Sequence, residues 1–393
     1  MKNSNGLFII LVTAILIKLF FFTFIAINLP ENKFEPDTPD YLGTAKTLYS
    51  QSAFLRTNNA GVTRYETLRT PGYPVFLAIF HHLLNIPLDG IIFIQILLTI
   101  LVGLIVYRTA NLIDGRLGIL SAAFVLYDFP TLRFSLMLMT ETLFLLLLAI
   151  LLFSFTLYFK KGGLKYIIIS AIILAMATYV RPVTYYLGIA VAIFIVYAKI
   201  PGNFRKASAH ALIFLVIVYG LLGAWQIRNY RCCGTTAFAT IATVNFHQFG
   251  LIKSYSANNY PHAQGASPVP YYANLTLRSF LDLMARPGSL KYVKSYPAIA
   301  VPGTVLSYLV MVFWLIGLIA GIAKTNKNVY YQFMLFVILY FISATVINVG
   351  LISNERYRIP MLPFIAIIAS YGWVNLIPLI KKKNGAKPSA YRN

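Results

Sequence analysis

Only 11 of the 393 residues are Asp or Glu, so each carboxylate can be asked what it is for. Two of them stand in the segment Glu35-Pro-Asp37-Thr-Pro-Asp40-Tyr41. The order predicts Thr38 at a helix N-cap, Pro39 at the first helical position and Asp40 in the first turn, where a carboxylate complements the helix dipole. A structural role therefore competes with a catalytic one for Asp40. Asp37 precedes the cap and has less structural reason to be acidic; an acid held in a proline-bracketed turn suits a general base that takes a proton from an attacking hydroxyl. Further on, Arg64, Glu66 and Arg69 precede a short apolar run, and Arg181, Arg228, Arg356 and Arg358 recur later. A guanidinium offers a donor fork that matches phosphate oxygens, although lipid headgroups would use it as well. Glu141 opens an apolar run, either neutral and hydrogen-bonded or facing a cavity, where it would orient a neighbour or contact hydroxyls. Tyr41, Tyr73 and His247 are the candidate substrate contacts.

The elements that must position these groups are set by composition. Hydrophobic residues make up 59% and charged residues 11%; a soluble chain would carry ~25% charged, so a water-soluble domain is excluded. The formal charge is +22, yet no basic block interleaves with aromatics, which argues against a nucleic-acid partner. Apolar runs of spanning length fall at about 6–28, 90–111, 117–130, 136–159, 164–180, 183–199, 208–226, 302–323, 329–350 and 359–380, about ten in all, with 117–130 the shortest. The run from Gly6 is too long for a signal-peptide core and reads as a retained first span. The stretch 75–84 is too short to cross and reads as an interfacial or re-entrant helix. Lys18, in mid-span, is expected to snorkel or to meet backbone carbonyls.

Sorting the loops by side gives an orientation. Short loops rich in Lys and Arg collect on one side, which the positive-inside rule makes cytoplasmic, with both termini there in a plasma (inner) membrane. Of the 11 acids only Asp114 falls on that side; the other ten lie on the outer face or at outer span ends. The outer face carries two long loops, 29–89 and 227–301. The second is rich in tyrosine (Tyr230, Tyr255, Tyr260, Tyr271, Tyr272, Tyr292, Tyr296), as an interface requires in any case, with His247 and His262 as further polar groups. His81 and His82 are adjacent and point to different sides of a helix, a poor metal pair. Cys232 and Cys233 are adjacent, closer than ordinary disulfide geometry prefers. No metal-ligand spacing and no Gly-rich nucleotide loop appears. No cofactor is expected; a divalent cation between Asp40 and a donor phosphate stays open.

Read in order, Asp37-Thr-x-x-Tyr41-x-x-x-Ala45, Arg69-Thr-Pro-Gly-Tyr-Pro-x-Phe-Leu-Ala78, Thr140-Glu141-Thr-Leu-Phe144, Arg181-Pro182, Trp225-x-x-Arg228-Asn229 and Arg356-Tyr-Arg358-x-Pro360-x-x-Pro363-Phe364 form a set. The set resembles the bacterial branch of the dolichyl-phosphate-mannose–protein mannosyltransferase superfamily, GT-C glycosyltransferases that include the lipid A aminoarabinose transferases. It covers about residues 5–380, with no matched motif between about 230 and 300. The family often shows adjacent acids in the first loop, whereas Asp37 and Asp40 are three apart, which leaves the choice of base open between them. The chain ends soon after its last span, so acceptor specificity would fall to the outer loops.

The resemblance implies an all-α polytopic GT-C bundle of about ten spans, with juxtamembrane helices in the first outer loop. One module would occupy 1–380, followed by a basic cytoplasmic tail at 381–393. It further implies transfer of a sugar from a polyprenyl phosphate to an acceptor hydroxyl of a glycan, lipid or protein on the outer face, with inversion at the anomeric carbon. Asp37 would be the base, with Asp40 and Glu141 beside it. Arg69 would lead the cations on the donor phosphate, with Arg64, Arg181, Arg228, Arg356 and Arg358 as further candidates. The alternative is a lipid or glycan transporter or flippase. That reading calls for internal repeats and midplane charges, and the sequence shows no repeat and few such charges.

Overall fold

The computed structural model describes residues 2–57, 61–199, 202–249, 268–288, 295–325, 328–350 and 353–385. Within lipid a backbone must satisfy its own polar groups, and the apolar runs do so as helices. In chain order these are α1 (Lys2–Asn28), α2 (Thr38–Gln51), α3 (Gly72–Leu77), α4 (Leu88–Ile113), α5 (Gly118–Leu126), α6 (Phe129–Ser135), α7 (Glu141–Lys161), α8 (Leu164–Val180) and α9 (Leu187–Ala198). They continue as α10 (Phe204–Cys233), α11 (Ile241–Phe249), α12 (Pro268–Ala285), α13 (Pro297–Lys324), α14 (Val329–Val349) and α15 (Leu362–Gly385). A tight 3₁₀ turn, Glu355–Met361, leads into α15. Two short strands, β1 (Leu55–Thr57) and β2 (Thr63–Tyr65), pair antiparallel with Arg56 opposite Arg64. The fold is thus the expected helical membrane bundle, with α2, the hairpin and α3 in the first long loop.

Seven helices among the described residues are long and apolar enough to cross a bilayer: α1, α4, α7, α10, α13, α14, and α15 with its preceding turn. The apolar helices at 164–180 and 182–198 are shorter. The expected span at 117–130 is broken into α5 and α6. Asp128 accepts from the Thr131 amide at 3.0 Å and caps α6, and Pro130 in its first turn cannot continue a helix from α5. The count of ten spans is therefore not confirmed by length and composition.

Cross-helix hydrogen bonds define the two ends of the bundle. At one end Lys160 donates to Leu112 O (3.2 Å) and Tyr371 to Lys324 O (3.4 Å). At the other, Leu138 N donates to Lys33 O (3.0 Å) and Thr70 to Val180 O (3.0 Å). The second end gathers α2, the hairpin, α3 and the starts of α7 and α15. The centre is α7, with 72% of its apolar stretch buried, against 22% for the peripheral α1.

Two sequence expectations change. Asp37, not Thr38, is the N-cap of α2; the buried Thr38 hydroxyl instead accepts from Glu35 N (2.9 Å) and faces Leu138 O (3.2 Å). Lys18 does not snorkel. It is 1% exposed, because α1 turns it into the bundle toward Asp128 rather than along the lipid face, and its ammonium has no hydrogen-bond partner among the described residues. The short stretch at 75–84 does not cross: Phe76 and Leu77 are buried in the bundle, while Val75, Ile79, Leu83 and Leu84 are exposed. Tyr255, Tyr260, His262, Tyr292 and the end of the basic tail lie outside the described residues.

α13 and α15 approach backbone to backbone through glycines. A Cβ on Gly372 would collide with Gly317 O, one on Gly321 with Ile368 O, and one on Gly317 would lie 2.5 Å from Ala369 O. This is the small-residue packing by which helices associate in lipid. Gly372→Ala should therefore destabilise by about 1–3 kcal/mol through overpacking, read as a lower thermal midpoint in detergent. Gly223→Ala, where a Cβ on α10 meets nothing within 4 Å, should leave the midpoint unchanged or raise it.

Candidate active site

The site is built first from α2. Asp37 caps the helix without a side-chain cap bond, so both carboxylate oxygens are available for other partners. Arg69 takes one of them: its Nη2 donates to Asp37 Oδ1 at 2.6 Å. The same guanidinium reaches Asp40 Oδ2 from Nε and Nη2, each at 3.3 Å, and lies over the Tyr41 ring at 5.5 Å. Burial alone would lower the Arg69 pKa, but Tyr41, Asp37 and Asp40 outweigh it, so the group is held firmly charged. Burial raises the Tyr41 hydroxyl pKa against the opposing pull of Arg69. Tyr41 is therefore a neutral phenol at physiological pH and cannot act as the base.

The Arg69-Thr-Pro-Gly-Tyr-Pro motif explains where Arg69 stands. Thr70 donates to Val180 O at the end of α8, and a Cβ on Gly72 would lie 2.7 Å from Tyr179 O. Only glycine lets α3 start against the end of α8 this closely. On the other side, the Glu66 carboxylate accepts from the amides of Leu68 (2.5 Å) and Arg69 (3.0 Å). Arg69 is thus gripped through its backbone and left free to aim its side chain at α2.

The second half of the site hangs on Glu141. Its side chain is 1% exposed at the first position of α7. Arg181 Nη1 donates to its Oε1 at 2.6 Å, and Arg356 Nε donates to the same oxygen. Arg181 ends α8, which Pro182 prevents from continuing. Arg356 comes from the 3₁₀ turn before α15 and also reaches Asp37 Oδ2 at 3.5 Å. Glu141 and Asp37 are thereby linked through one arginine.

These groups surround a cavity of about 350 Å³ lined by Asp37, Tyr41, Arg69, Arg181 and Arg356. Its remaining wall mixes apolar side chains of α14 (Phe341, Ala344, Val349) with amides (Asn245, Asn348) and hydroxyls (Thr70, Thr140, Tyr186, Tyr340, Tyr357). An apolar flank beside converging cations is a surface for an amphiphile with an anionic head. Among the described residues no three His, Cys, Asp or Glu side chains group as a metal site would require.

Not every candidate from the sequence is brought here. Glu141 does not line the cavity but anchors two arginines that do. Arg64 is exposed on β2. Arg228 braces the loop instead, donating to Glu66 O (2.8 Å) and Phe54 O (2.9 Å) over the Trp225 ring. Arg358 is 1% exposed and bonds the carbonyls of Leu283, Met284 and Arg286 at the end of α12. Tyr73 is fully buried, donating to Gln95 at 2.9 Å. His247 is exposed on α11, whereas Ile241 and Asn245 of that helix line the cavity. Arg56 was overlooked: it lies 3.6 Å from Asp40 Oδ2 and 3.8 Å from Glu66 Oε2. A lone arginine in a polar hairpin gave no signal.

Residues 68–225 match the family described as dolichyl-phosphate-mannose-protein mannosyltransferase. No curated protein sequence matches the chain. Among solved structures, the oligosaccharyltransferase AglB of Archaeoglobus fulgidus, in complex with an inhibitory peptide and a dolichol-phosphate, is similar at TM-score 0.59 and 12% identity over 99% of this chain and 53% of that one. The oligosaccharyltransferase of the same organism tethered with an acceptor peptide gives TM-score 0.59 and 12% identity, over 98% and 51%. ArnT from Cupriavidus metallidurans bound to undecaprenyl phosphate gives TM-score 0.45 and 12% identity, over 98% and 82%. The fold is that of the oligosaccharyltransferase bundle it matches, and the resemblance drawn from the ordered motifs is borne out by the family match over 68–225. The chain spans about half the length of the oligosaccharyltransferase chains it matches.

Breaking a buried ion pair from one side leaves the partner charges uncompensated. Glu141→Gln strands Arg181 and Arg356 and should cost about 3–5 kcal/mol of stability, seen as a lower thermal midpoint of the purified protein in detergent. Arg64→Gln, on the exposed strand, should leave the midpoint unchanged.

Proposed function

We propose that the protein transfers a sugar from a polyprenyl-phosphate donor to an acceptor hydroxyl at the membrane face that carries Asp37. The observation that carries this reading is the convergence of one half-exposed carboxylate, Asp37, with three guanidinium groups, Arg69, Arg181 and Arg356, on one cavity of a GT-C bundle. The family match over 68–225 and the dolichol-phosphate present in the AglB complex support a lipid-linked donor. The acceptor is a glycan, lipid or protein hydroxyl, and the sugar is a hexose or pentose.

The chemistry follows from the groups in place. A hydroxyl is a weak nucleophile, so Asp37 takes its proton as the oxygen attacks C1 of the sugar. The C1–O bond to phosphate breaks and its electron pair stays on the phosphate oxygen, so no general acid is needed. The charge that develops there is met by Arg69, Arg356 and Arg181, which line the cavity. A single displacement inverts the anomeric carbon. The chemistry requires no cofactor; a divalent cation bridging Asp40 and the phosphate would be an addition to it.

The orientation is part of the same reading. The end opposite the site collects Arg108, Arg116, Lys160, Lys161, Lys165, Lys199, Arg205, Lys206 and Lys324, which by the positive-inside rule faces the cytoplasm of a plasma (inner) membrane. Both termini would lie there, and the cavity on the outer face.

Membranes containing the protein should transfer labelled sugar from a matching polyprenyl-phosphate donor. Asp37→Asn should lower kcat by about 10²–10⁴-fold with the helical circular dichroism unchanged. Full activity in that variant would remove Asp37 as the base and promote Asp40. No sugar missing from any envelope lipid, glycan or protein of cells that lack the gene would overturn the transferase reading.

A further inference from the structure

In the structure both oxygens of Asp37 face a guanidinium. Arg69 holds its Oδ1 at 2.6 Å and Arg356 stands 3.5 Å from its Oδ2. The Arg69 nitrogen on Asp37, Nη2, is also 3.3 Å from Asp40, so a single guanidinium neutralises two carboxylates. A donor phosphate that draws Arg69 away would leave Asp37 with Arg356 alone, take the nearer guanidinium from Asp40, and add a third anion beside them. Without another cation for Asp40 that exchange is opposed by repulsion among three negative groups.

Arg56 is placed to remove that obstacle. It reaches in from β1 and stands 3.6 Å from the same Asp40 oxygen that Arg69 contacts. On its other side, Nε is 3.8 Å from Glu66 Oε2. Both distances are those of an ion pair not yet closed into a hydrogen bond. Glu66 Oε2 is itself buried and without a hydrogen-bond partner, while Oε1 grips the backbone at Arg69. Arg56 is therefore suspended between two carboxylates, and a small movement closes its bond to Asp40.

We propose that Arg56 is a positioning residue that takes over Asp40 when the donor phosphate draws Arg69 off α2, so that Asp37 is released as base only once the donor is in place. The proposal rests on the transferase reading for its substrate. It gives that reading an order of events, in which the empty enzyme keeps its base capped and does not activate water.

The test measures binding without turnover, using undecaprenyl phosphate titrated onto the purified protein in detergent. Arg56→Gln should weaken binding about fivefold to tenfold, because Asp40 then keeps its claim on Arg69. Asp40→Asn should strengthen it by a similar factor, since Arg69 is released. In the double variant the Arg56 effect should vanish and affinity should match that of Asp40→Asn, a coupling that a merely structural Arg56 would not show. Arg56→Lys should restore most of the wild-type affinity. Equal affinities of Arg56→Gln and wild type would overturn the proposal, as would unchanged or weaker binding by Asp40→Asn, which needs no folded Arg56 variant. Wild-type protein that binds undecaprenyl phosphate with these couplings but transfers no sugar would overturn the transferase reading and leave the hand-over standing. Wild-type protein that does not bind it would overturn both.

Discussion

The cavity depends on burying one carboxylate. Glu141 stands at the start of one of the two most enclosed spans, where an unpaired carboxylate would carry a desolvation cost of several kcal/mol. Two guanidinium groups meet it there, from residues 40 and 215 positions away in the chain, and the N-terminal dipole of α7 adds its share. The need to satisfy this buried charge fixes the end of α8 and the turn before α15 against α7. Two cavity cations are set in place by the same contact.

The opposite wall is held by backbone bonds rather than by charge. Arg228 at the end of α10 bonds the carbonyls of Phe54 and Glu66, one on each arm of the hairpin. Asn229 beside it is fully buried and donates to the carbonyls of Ala237 and Phe238. A loop in this position has few apolar residues to bury, and carbonyl bonds to a rigid helix end replace that missing core. Glu66 then transmits the placement to Arg69 through two amides. The side chain that faces the cavity is thus two steps removed from the helix that locates it.

What could be read beforehand follows from this division. Asp37, Asp40, Arg69, Arg181 and Arg356 were legible because polar residues are rare in an apolar chain and each stands at a run boundary. Arg356 and Arg358 read alike in the sequence, yet one lines the cavity and the other is buried under α12. A 3₁₀ turn sends alternate residues in different directions, and nothing in the motif Arg-Tyr-Arg announces a 3₁₀ turn rather than an α-helix. The break between α5 and α6 was hidden inside a run whose hydropathy is continuous, although Asp128 and Pro130 carry the signal in retrospect. The closeness of α13 and α15 rests on Gly317, Gly321 and Gly372, whose spacing matters only once the two helices are known to be neighbours. Arg56 lies in a hairpin too short and polar to stand out.

The charge inventory around the cavity bears on how a phosphate would enter it. Asp37, Asp40, Glu66 and Glu141 face Arg56, Arg69, Arg181 and Arg356 in pairs, so the cluster is balanced. A surplus of unpaired arginines at the edge of an apolar bundle would be costly to bury and would attract any anion, headgroups included. A balanced cluster avoids both, and it binds an anion by exchange: a guanidinium gives up a carboxylate to take a phosphate. In such an exchange the strength of binding is set by what happens to the displaced carboxylate. Under the proposed function that carboxylate is the base, so donor binding and the uncovering of Asp37 are coupled through Arg69.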